Sequence, residues 1–499
     1  MGTQLTDRPE GQPPTDRVWS IETNGINPIP DSERHGKPLE LFWIWCAANI
    51  GILGVTYGAF LVTFFGLSFF QSIVAALLGT ILSFSLVGFI SLAGKLGGAP
   101  TLVLSRASFG VIGNVIPTLI SYISLVGWEI ILVALSTLGA QAILERLGVG
   151  GGDATLGIAF GVIALATIAI GLLGHATIVK IQTWFTWAFA AMTLGFIALE
   201  IDRVDWDKVT SLPSGDFLGG FIGGTSIIMA GLGIGWVNAA ADYSRYLPRE
   251  TSSRAVVGWT VFGASVAPIV LILFGVLLAA NDSSLANVLH PGELARPLPT
   301  WFLVPYLATA AGGLIAGAVL DIYSSGLNLL TLGVKLPRYQ SVAIDGVLML
   351  IGNIYLLFIA EESFLFSFIG FLVTLGVLLA SWAAIFLVDM FMYRRRTGYA
   401  EADLYTARGR YGSGNVAGIA SFLVASFVGL GLVNSGSPIF TWVGYLLRWF
   451  NLDEGALATS SIGILIAFGL AGILYALLSR LLSIETGVRA AEPARAPLR

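Results

Sequence analysis

Two carboxylates, Glu129 and Asp321, fall deep inside long apolar stretches of the chain. A charged side chain at the centre of a bilayer costs about 2.5–3.5 kcal/mol on insertion scales, so such residues face a bundle interior and mark proton or substrate paths. A carboxyl group held away from water can bind and release a proton, and the neutral acid donates a hydrogen bond that the anion cannot. The plainer reading of each is a structural carboxylate bonded to a neighbouring helix. Trp128 and Trp236 each follow a glycine and lie inside an apolar stretch rather than at its edge. Two indoles suit the faces of a flat, neutral, hydrogen-bonding ligand, with backbone and amide groups at its rim. A lone Trp is more simply core packing; the pairing beside a glycine-rich break favours the ligand. One helical step of about 100° separates Trp128 from Glu129, so the two cannot face the same ligand.

The breaks are two. Asn49-Ile50-Gly51-Ile52-Leu53-Gly54 interrupts the apolar stretch 41–66, and Gly231-Leu232-Gly233-Ile234-Gly235-Trp236 interrupts 217–240. Glycine weakens a helix by roughly 1 kcal/mol relative to alanine, and irregular backbone at bilayer depth survives only where it is buried in protein or lines a watery cavity. Paired breaks in corresponding positions of two halves point to the binding site of a secondary transporter. Gly51, Gly54, Gly233 and Gly235 are therefore expected to open backbone groups to a substrate. Most of the other glycines read as close helix contacts. Asn49 and Asn238 can donate and accept at once, toward a ligand edge or toward unwound backbone; capping the broken helix is the simpler role for Asn49. His175 reads as structural. Asp242, Tyr243 and Arg245 follow the second break, where a gate or an internal ion pair is expected.

The elements that position these residues follow from hydropathy. The chain has 499 residues, 56% hydrophobic and 11% charged, against about 25% charged in a soluble domain. Twelve apolar stretches, each long enough to cross a ~30 Å hydrocarbon core, are predicted at 41–66, 69–93, 114–144, 155–173, 178–199, 217–240, 256–280, 301–325, 342–360, 364–391, 415–435 and 459–484. With the amino terminus inside, all lysines and arginines except Arg146, Arg203, Lys208, Arg296 and Arg448 fall on the inner side. The positive-inside rule thus places both termini in the cytoplasm and predicts a multi-pass protein of the cytoplasmic membrane. The predicted fold is an all-α polytopic membrane protein of 12 transmembrane helices. It has a five-plus-five inverted repeat with helices 1 and 6 broken, plus two peripheral helices. The expected organisation is a disordered cytoplasmic tail over 1–40, a transport core over 41–393, a cytoplasmic linker over 394–414, the peripheral pair over 415–484 and a second tail over 485–499. Arg394–Arg396 reads as a cytoplasmic membrane anchor. Trp43, Trp45, Trp301 and Trp449 read as interfacial aromatics.

A P-loop, an HExxH and a GxSxG are absent from the sequence, and the glycine run at 231–235 lacks the strand a dinucleotide loop requires. One cysteine, Cys46, excludes a disulfide framework and a Cys-clustered metal site. No catalytic residues, resident metal or cofactor are expected, and no basic surface indicates nucleic acid. The expected partners are a small-molecule heterocycle and the lipid bilayer; the sequence carries no signal for an oligomeric state.

The chain resembles the nucleobase:cation symporter family on its purine–cytosine permease side. The resemblance rests on Trp45-Cys46-Ala47-Ala48-Asn49, Ser105-Arg106-Ala107-Ser108-Phe109-Gly110 and Gly127-Trp128. It rests equally on Gly235-Trp236 with Ala241-Asp242-Tyr243-Ser244-Arg245-Tyr246-Leu247-Pro248, and on Asp321-Ile322-Tyr323-Ser324-Ser325-Gly326-Leu327. It implies the five-plus-five inverted repeat, alternating access and a heterocycle held between spans 1, 3, 6 and 8. By the same resemblance Trp128 matches the stacking Trp of span 3, Trp236 matches the span 6 Trp of the fungal branch, and Asp321 falls where that branch has a substrate-contacting Asn. Departures occur at Gly233, where other branches carry an aromatic, and at Leu132, where fungal relatives carry an Asn. Where sodium-coupled relatives place hydroxyl ligands in span 8, this chain has Ala316-Gly317. A hard cation wants oxygen ligands, so a proton is favoured over sodium as the co-transported ion, with Asp321 or Glu129 taking it up. The function expected is proton-coupled import of nucleobases such as cytosine or purines. A carrier of allantoin, hydantoin, a thiamine precursor or an amino acid is the near alternative, and a non-transporting membrane sensor or an integral-membrane enzyme the distant ones.

Overall fold

The computed structural model describes residues 18–282, 291–294, 298–360 and 364–482, and every regular element among them is helical. The first apolar stretch is two helices, α1 (Pro38–Asn49) and α2 (Leu53–Thr63), bent by 60° at their junction. Pro38 opens α1 at a position where its missing N–H is no loss. Ile50 ends α1 by taking φ −91°, ψ 82°. Next comes α3 (Phe69–Gly97), started by a capping box between Ser68 and Gln71 and stopped by Gly98 at φ 62°. Then follow α4 (Val115–Arg146), α5 (Gly152–Leu173) and α6 (His175–Glu200). The sixth stretch begins as a π-helical turn, continues as α7 (Gly223–Gly231), breaks at Leu232 and resumes as the single turn α8 (Gly233–Trp236). The remainder is α9 (Ser253–Asn281), α10 (Thr300–Thr331), α11 (Arg338–Phe358), α12 (Phe364–Asp389), α13 (Val416–Gly431) and α14 (Gly463–Leu481).

Ten of the described helices are long and apolar enough to cross a membrane, and the bent pair α1–α2 makes an eleventh span. The remaining expected span is α13, an apolar helix of 16 residues, about 24 Å long at 1.5 Å per residue. Large apolar side chains point outward along the flanks, Ile158 and Leu165 on α5, Trp184 and Trp187 on α6 and Ile351 on α11 among them, as hydrocarbon surroundings allow. Inside, α4 and α10 form the most extensive pairing, and α13 and α14 pack on each other and on the outer side of α12. Close approach of α2 and α9 requires glycine on both. A Cβ at Gly58 would sit 2.0 Å from the Ile272 carbonyl oxygen, and one at Gly275 would sit 2.1 Å from that of Val55.

Three sequence expectations are corrected. Residues 18–37, read as part of a disordered tail, are packed on the bundle: Glu22 is 1% exposed and accepts hydrogen bonds from Arg245 Nη2 (3.0 Å) and the His175 backbone N–H (3.0 Å). Leu404, Tyr405 and Tyr411 of the segment 394–414, read as a cytoplasmic linker, are buried. Arg394, read as a membrane anchor, is buried and paired with Asp389 at 2.9 Å, while Arg395 and Arg396 are exposed. Trp45 is fully buried rather than interfacial, whereas Trp301 and Trp449 are exposed. The remaining tail segments, 1–17 and 485–499, lie outside the described residues.

Candidate functional site

The break between α1 and α2 and the break between α7 and α8 face each other across a narrow cavity of about 40 Å³, closed down well below the roughly 300–1,000 Å³ of ligand-filled small-molecule sites. Ala48, Asn49, Gly51, Leu53 and Gly54 line it from the first break, and Gly231, Leu232, Gly235 and Trp236 from the second. Tyr57 of α2, Trp128 and Leu132 of α4, and Gly313 and Leu314 of α10 complete the wall. Six of the residues singled out in the sequence therefore meet at one place: Asn49, Gly51, Gly54, Trp128, Gly235 and Trp236.

Each indole is held by other aromatics. Trp128 meets Phe368 and Phe371 of α12 edge-on, both with centroids at 5.8 Å, and a Cβ at Gly235 would lie 3.3 Å from its Nε1. Trp236 meets Trp45 at 5.6 Å and 76°, and Trp45 in turn meets Tyr243 at 5.5 Å and 86°. Such edge-to-face contacts are favoured by the ring quadrupoles and fix the orientation of the two indoles. Asn49 serves the helix end as expected, its Nδ2 donating to the Trp45 carbonyl at 2.8 Å. Tyr57 was not singled out in the sequence, yet its hydroxyl donates to the Gly231 carbonyl at 3.3 Å. It thereby ties one broken helix to the other at a carbonyl beside the break. Its only sequence signal is a hydroxyl-bearing ring one turn after Gly54.

Gly233, Asn238, Asp321 and Glu129 do not line the cavity. Gly233 is pressed against α3: its N–H donates to Ser83 Oγ at 3.2 Å, and an added Cβ would fall 2.2 Å from the Ser83 carbonyl carbon. Asn238 is buried, with Nδ2 donating to Ser121 Oγ at 2.8 Å; Asn328 of α10 donates to the same hydroxyl at 2.6 Å. Asp321 is 1% exposed, and its Oδ2 has no partner among the described residues. Glu129, turned away from the ligand side as the helical step requires, reaches Ser325 of α10, whose Oγ lies 2.6 Å from Glu129 Oε1. The same Oγ lies 3.1 Å from Oδ2 of Asp345 on α11, and Asp345 Oδ1 accepts from the Tyr122 hydroxyl at 2.5 Å.

Asp345 escaped the sequence reading because α11 begins at Arg338, four residues before the predicted start, which puts this carboxylate about two turns inside the helix. The residues after the second break settle differently from one another. Asp242 accepts from the backbone N–H and the hydroxyl of Thr101 at 2.7 and 2.8 Å. Arg245 takes Glu22 as its ion-pair partner at 3.0 Å. His175 stacks on Tyr246 at 4.6 Å. On α10, Ala316 and Gly317 have no side-chain oxygen, and the Ala316 carbonyl accepts from Gln182 Nε2 at 2.9 Å.

A sequence profile described as a permease for cytosine/purines, uracil, thiamine and allantoin matches residues 28–450. A protein of Bacillus subtilis (strain 168) named "Putative purine-cytosine permease YxlA" is 26% identical over 443 residues, covering 86% of this chain and 91% of its own. The purine-cytosine permease FCY2 of Saccharomyces cerevisiae is 26% identical over 462 residues, covering 86% of this chain and 81% of its own. Among solved structures, the nucleobase-cation-symport-1 family transporter Mhp1, closed with bromovinylhydantoin bound, superposes with a TM-score of 0.71 at 18% identity. That superposition covers 92% of this chain and 96% of the other. A Na+-coupled sialic acid symporter superposes with a TM-score of 0.62 at 13% identity, covering 90% and 91%. The fold shared with these transporters is an inverted repeat in which α1–α2 and the α7–α8 stretch occupy corresponding positions.

Proposed function

The chain belongs to the family of permeases for cytosine/purines, uracil, thiamine and allantoin, and on that premise we propose that it imports a nucleobase-like heterocycle by alternating access, driven by a co-transported proton. It is a permease of the membrane, not an enzyme. The observation that carries the substrate class is the cavity itself: two indoles, each locked by neighbouring rings, beside two opened helices. A planar base stacks on Trp128 and Trp236, and its edges bond to Asn49 and to backbone around Gly51–Gly54 and Gly235. Asp321, Asn238 and Gly233 stand outside this cavity, so their proposed part is indirect, through the packing of α10 and α7–α8.

Proton coupling is favoured by what surrounds Ala316. A sodium ion takes several oxygen ligands; here Ala316 and Gly317 bring no side-chain oxygen, and the Ala316 carbonyl is already engaged by Gln182, whose Oε1 is the neighbouring side-chain oxygen. Glu129 or Asp321, both buried, is the carboxyl proposed to take up the proton. Substrate and proton then favour each other's binding, as symport requires. The proposed setting is the cytoplasmic membrane with both termini inside, on the charge distribution of the loops.

Uptake of labelled cytosine, hypoxanthine and allantoin into proteoliposomes, with proton and sodium gradients imposed separately, tests the proposal. Accumulation of a base under a proton gradient alone is the expected result. Accumulation of allantoin in preference to either base shifts the cargo to the near alternative, and binding without accumulation of any compound makes the protein a sensor.

A further inference from the structure

Ser325 has one hydroxyl proton and three acceptors around it: Glu129 Oε1 at 2.6 Å, Asp345 Oδ2 at 3.1 Å and the Ile322 carbonyl at 3.2 Å. Glu129 is 0% exposed, and its second oxygen, Oε2, is buried without a partner among the described residues. Asp345 is also 0% exposed, and its Oδ1 already accepts from the Tyr122 hydroxyl. Two ionised carboxylates cannot both accept from a single O–H, and like charges this close in a low-dielectric interior repel strongly. One additional proton resolves the conflict. With that proton on Glu129, its O–H donates to Ser325 Oγ, Ser325 donates to Asp345 Oδ2, and Tyr122 donates to Asp345 Oδ1. Every one of these contacts then has one donor and one acceptor.

We infer that Glu129, Ser325 and Asp345 form a one-proton binding site joining α4, α10 and α11, behind the cavity wall and apart from the ligand contacts. The inference rests on the transport reading for its purpose and deepens it by adding Asp345, Ser325 and Tyr122 to the coupling machinery. The proton can pass along the bridge with atoms balanced: Glu129 gives its proton to Ser325 Oγ while Ser325 gives its own to Asp345, leaving Glu129 ionised and Asp345 neutral. Occupancy also controls packing. Glu129 directly follows the cavity residue Trp128 on α4, so the singly protonated bridge holds the wall that carries Trp128 against α10 and α11. Loss of the proton sets two anions against each other across the same three helices. Further titratable groups on α10 are Asp321, one turn before Ser325, and Tyr323, and α6, packed on α10, carries His175, Lys180 and Glu200. Packed beside these helices, α5 carries only Asp153 in its first turn and α12 only Asp389 in its last turn, where it pairs with Arg394. A sodium ion does not fit the same arrangement, since 2.6 Å between Ser325 and Glu129 is a closed hydrogen bond.

The test uses the full-length protein in proteoliposomes and needs no substrate for its first readout. Infrared difference spectra between alkaline and acidic buffer are expected to show one protonated-carboxyl band. The band should vanish in the Glu129→Gln, Asp345→Asn double variant and persist in Asp321→Asn. An unchanged band in the double variant, or its loss in Asp321→Asn alone, overturns the site. Ser325→Ala keeps both carboxyls and guards against a double variant that does not fold; the band should shift and split, and an unmoved band overturns the bridge. In the second readout, Asp345→Asn should lower proton-driven accumulation of labelled cytosine or hypoxanthine by about tenfold or more while exchange persists. Full accumulation in this variant overturns the role in coupling. If no compound is transported and yet the band disappears with the pair, the transport reading fails and the proton site stands.

Discussion

At the first break the chain turns through 60° between α1 and α2, and the nearest atom to a Cβ placed on Gly51 is Leu314 Cδ2, 3.8 Å away. At the second break one residue, Leu232, leaves helical geometry at φ −114°, ψ −107°, and the glycines on either side are filled-in contacts. A Cβ at Gly231 would lie 2.2 Å from the Tyr57 hydroxyl, and one at Gly233 equally close to the Ser83 backbone. The first break is thus open on its cavity side and the second is wedged between α2 and α3. Both are glycine-rich, yet the residues that leave the helix are Ile50 and Leu232; the glycines supply room, for the cavity at Gly51 and for a neighbouring chain at Gly54, Gly231 and Gly233. A transporter that rocks one bundle against another around a fixed site has use for both, since one wall must hinge while its partner stays seated.

The sharpest way to break this contrast is Gly233→Val. A side chain forced against the α3 backbone should cost about 1–3 kcal/mol or more, seen as a large fall in the thermal unfolding midpoint of the detergent-solubilised protein; an unchanged midpoint would make the second break as roomy as the first. Trp236→Ala should next weaken binding of cytosine or hypoxanthine by about 1–3 kcal/mol, the usual worth of base–aromatic stacking, as measured by titration calorimetry. Equal affinity would remove the second break from the ligand. Tyr57→Phe takes away the hydroxyl that joins the two breaks and should cost about 1 kcal/mol of stability; the same unfolding assay reads it, and a neutral result would show the breaks to be independent. Gly51→Ala should be the mildest, within about 0.5 kcal/mol in stability, while changing the concentration dependence of uptake. A destabilisation equal to that of Gly233→Val would erase the distinction.

Much of this arrangement was legible from residue order. Hydropathy marks the spans, and both breaks fall inside the glycine runs, because a helix of apolar residues has few other ways to end at bilayer depth. Trp128 and Trp236 meet at one cavity as their glycine neighbours implied. The remainder needed the packed chain. Trp45 has the composition of an interfacial residue, but a bend five residues later turns it into the core against Trp236. Asp345 sits near the edge of its apolar stretch by hydropathy, and becomes a buried group because α11 starts a turn earlier than its apolar residues do. Glu22 belongs to a segment with the composition of a tail, yet Arg245 and Tyr323, far apart in the chain, converge on it.

The order of amino acids alone determined that this is a bundle of membrane helices with two weak points, since apolar content and glycine placement act within a single helix. Which carboxyl groups meet at one hydroxyl, which glycines border the cavity and which press on a neighbouring chain, and that Trp45 turns inward were decided only by the tertiary structure. Those outcomes depend on the depth and rotation of one helix against another, and no stretch of a single helix encodes them.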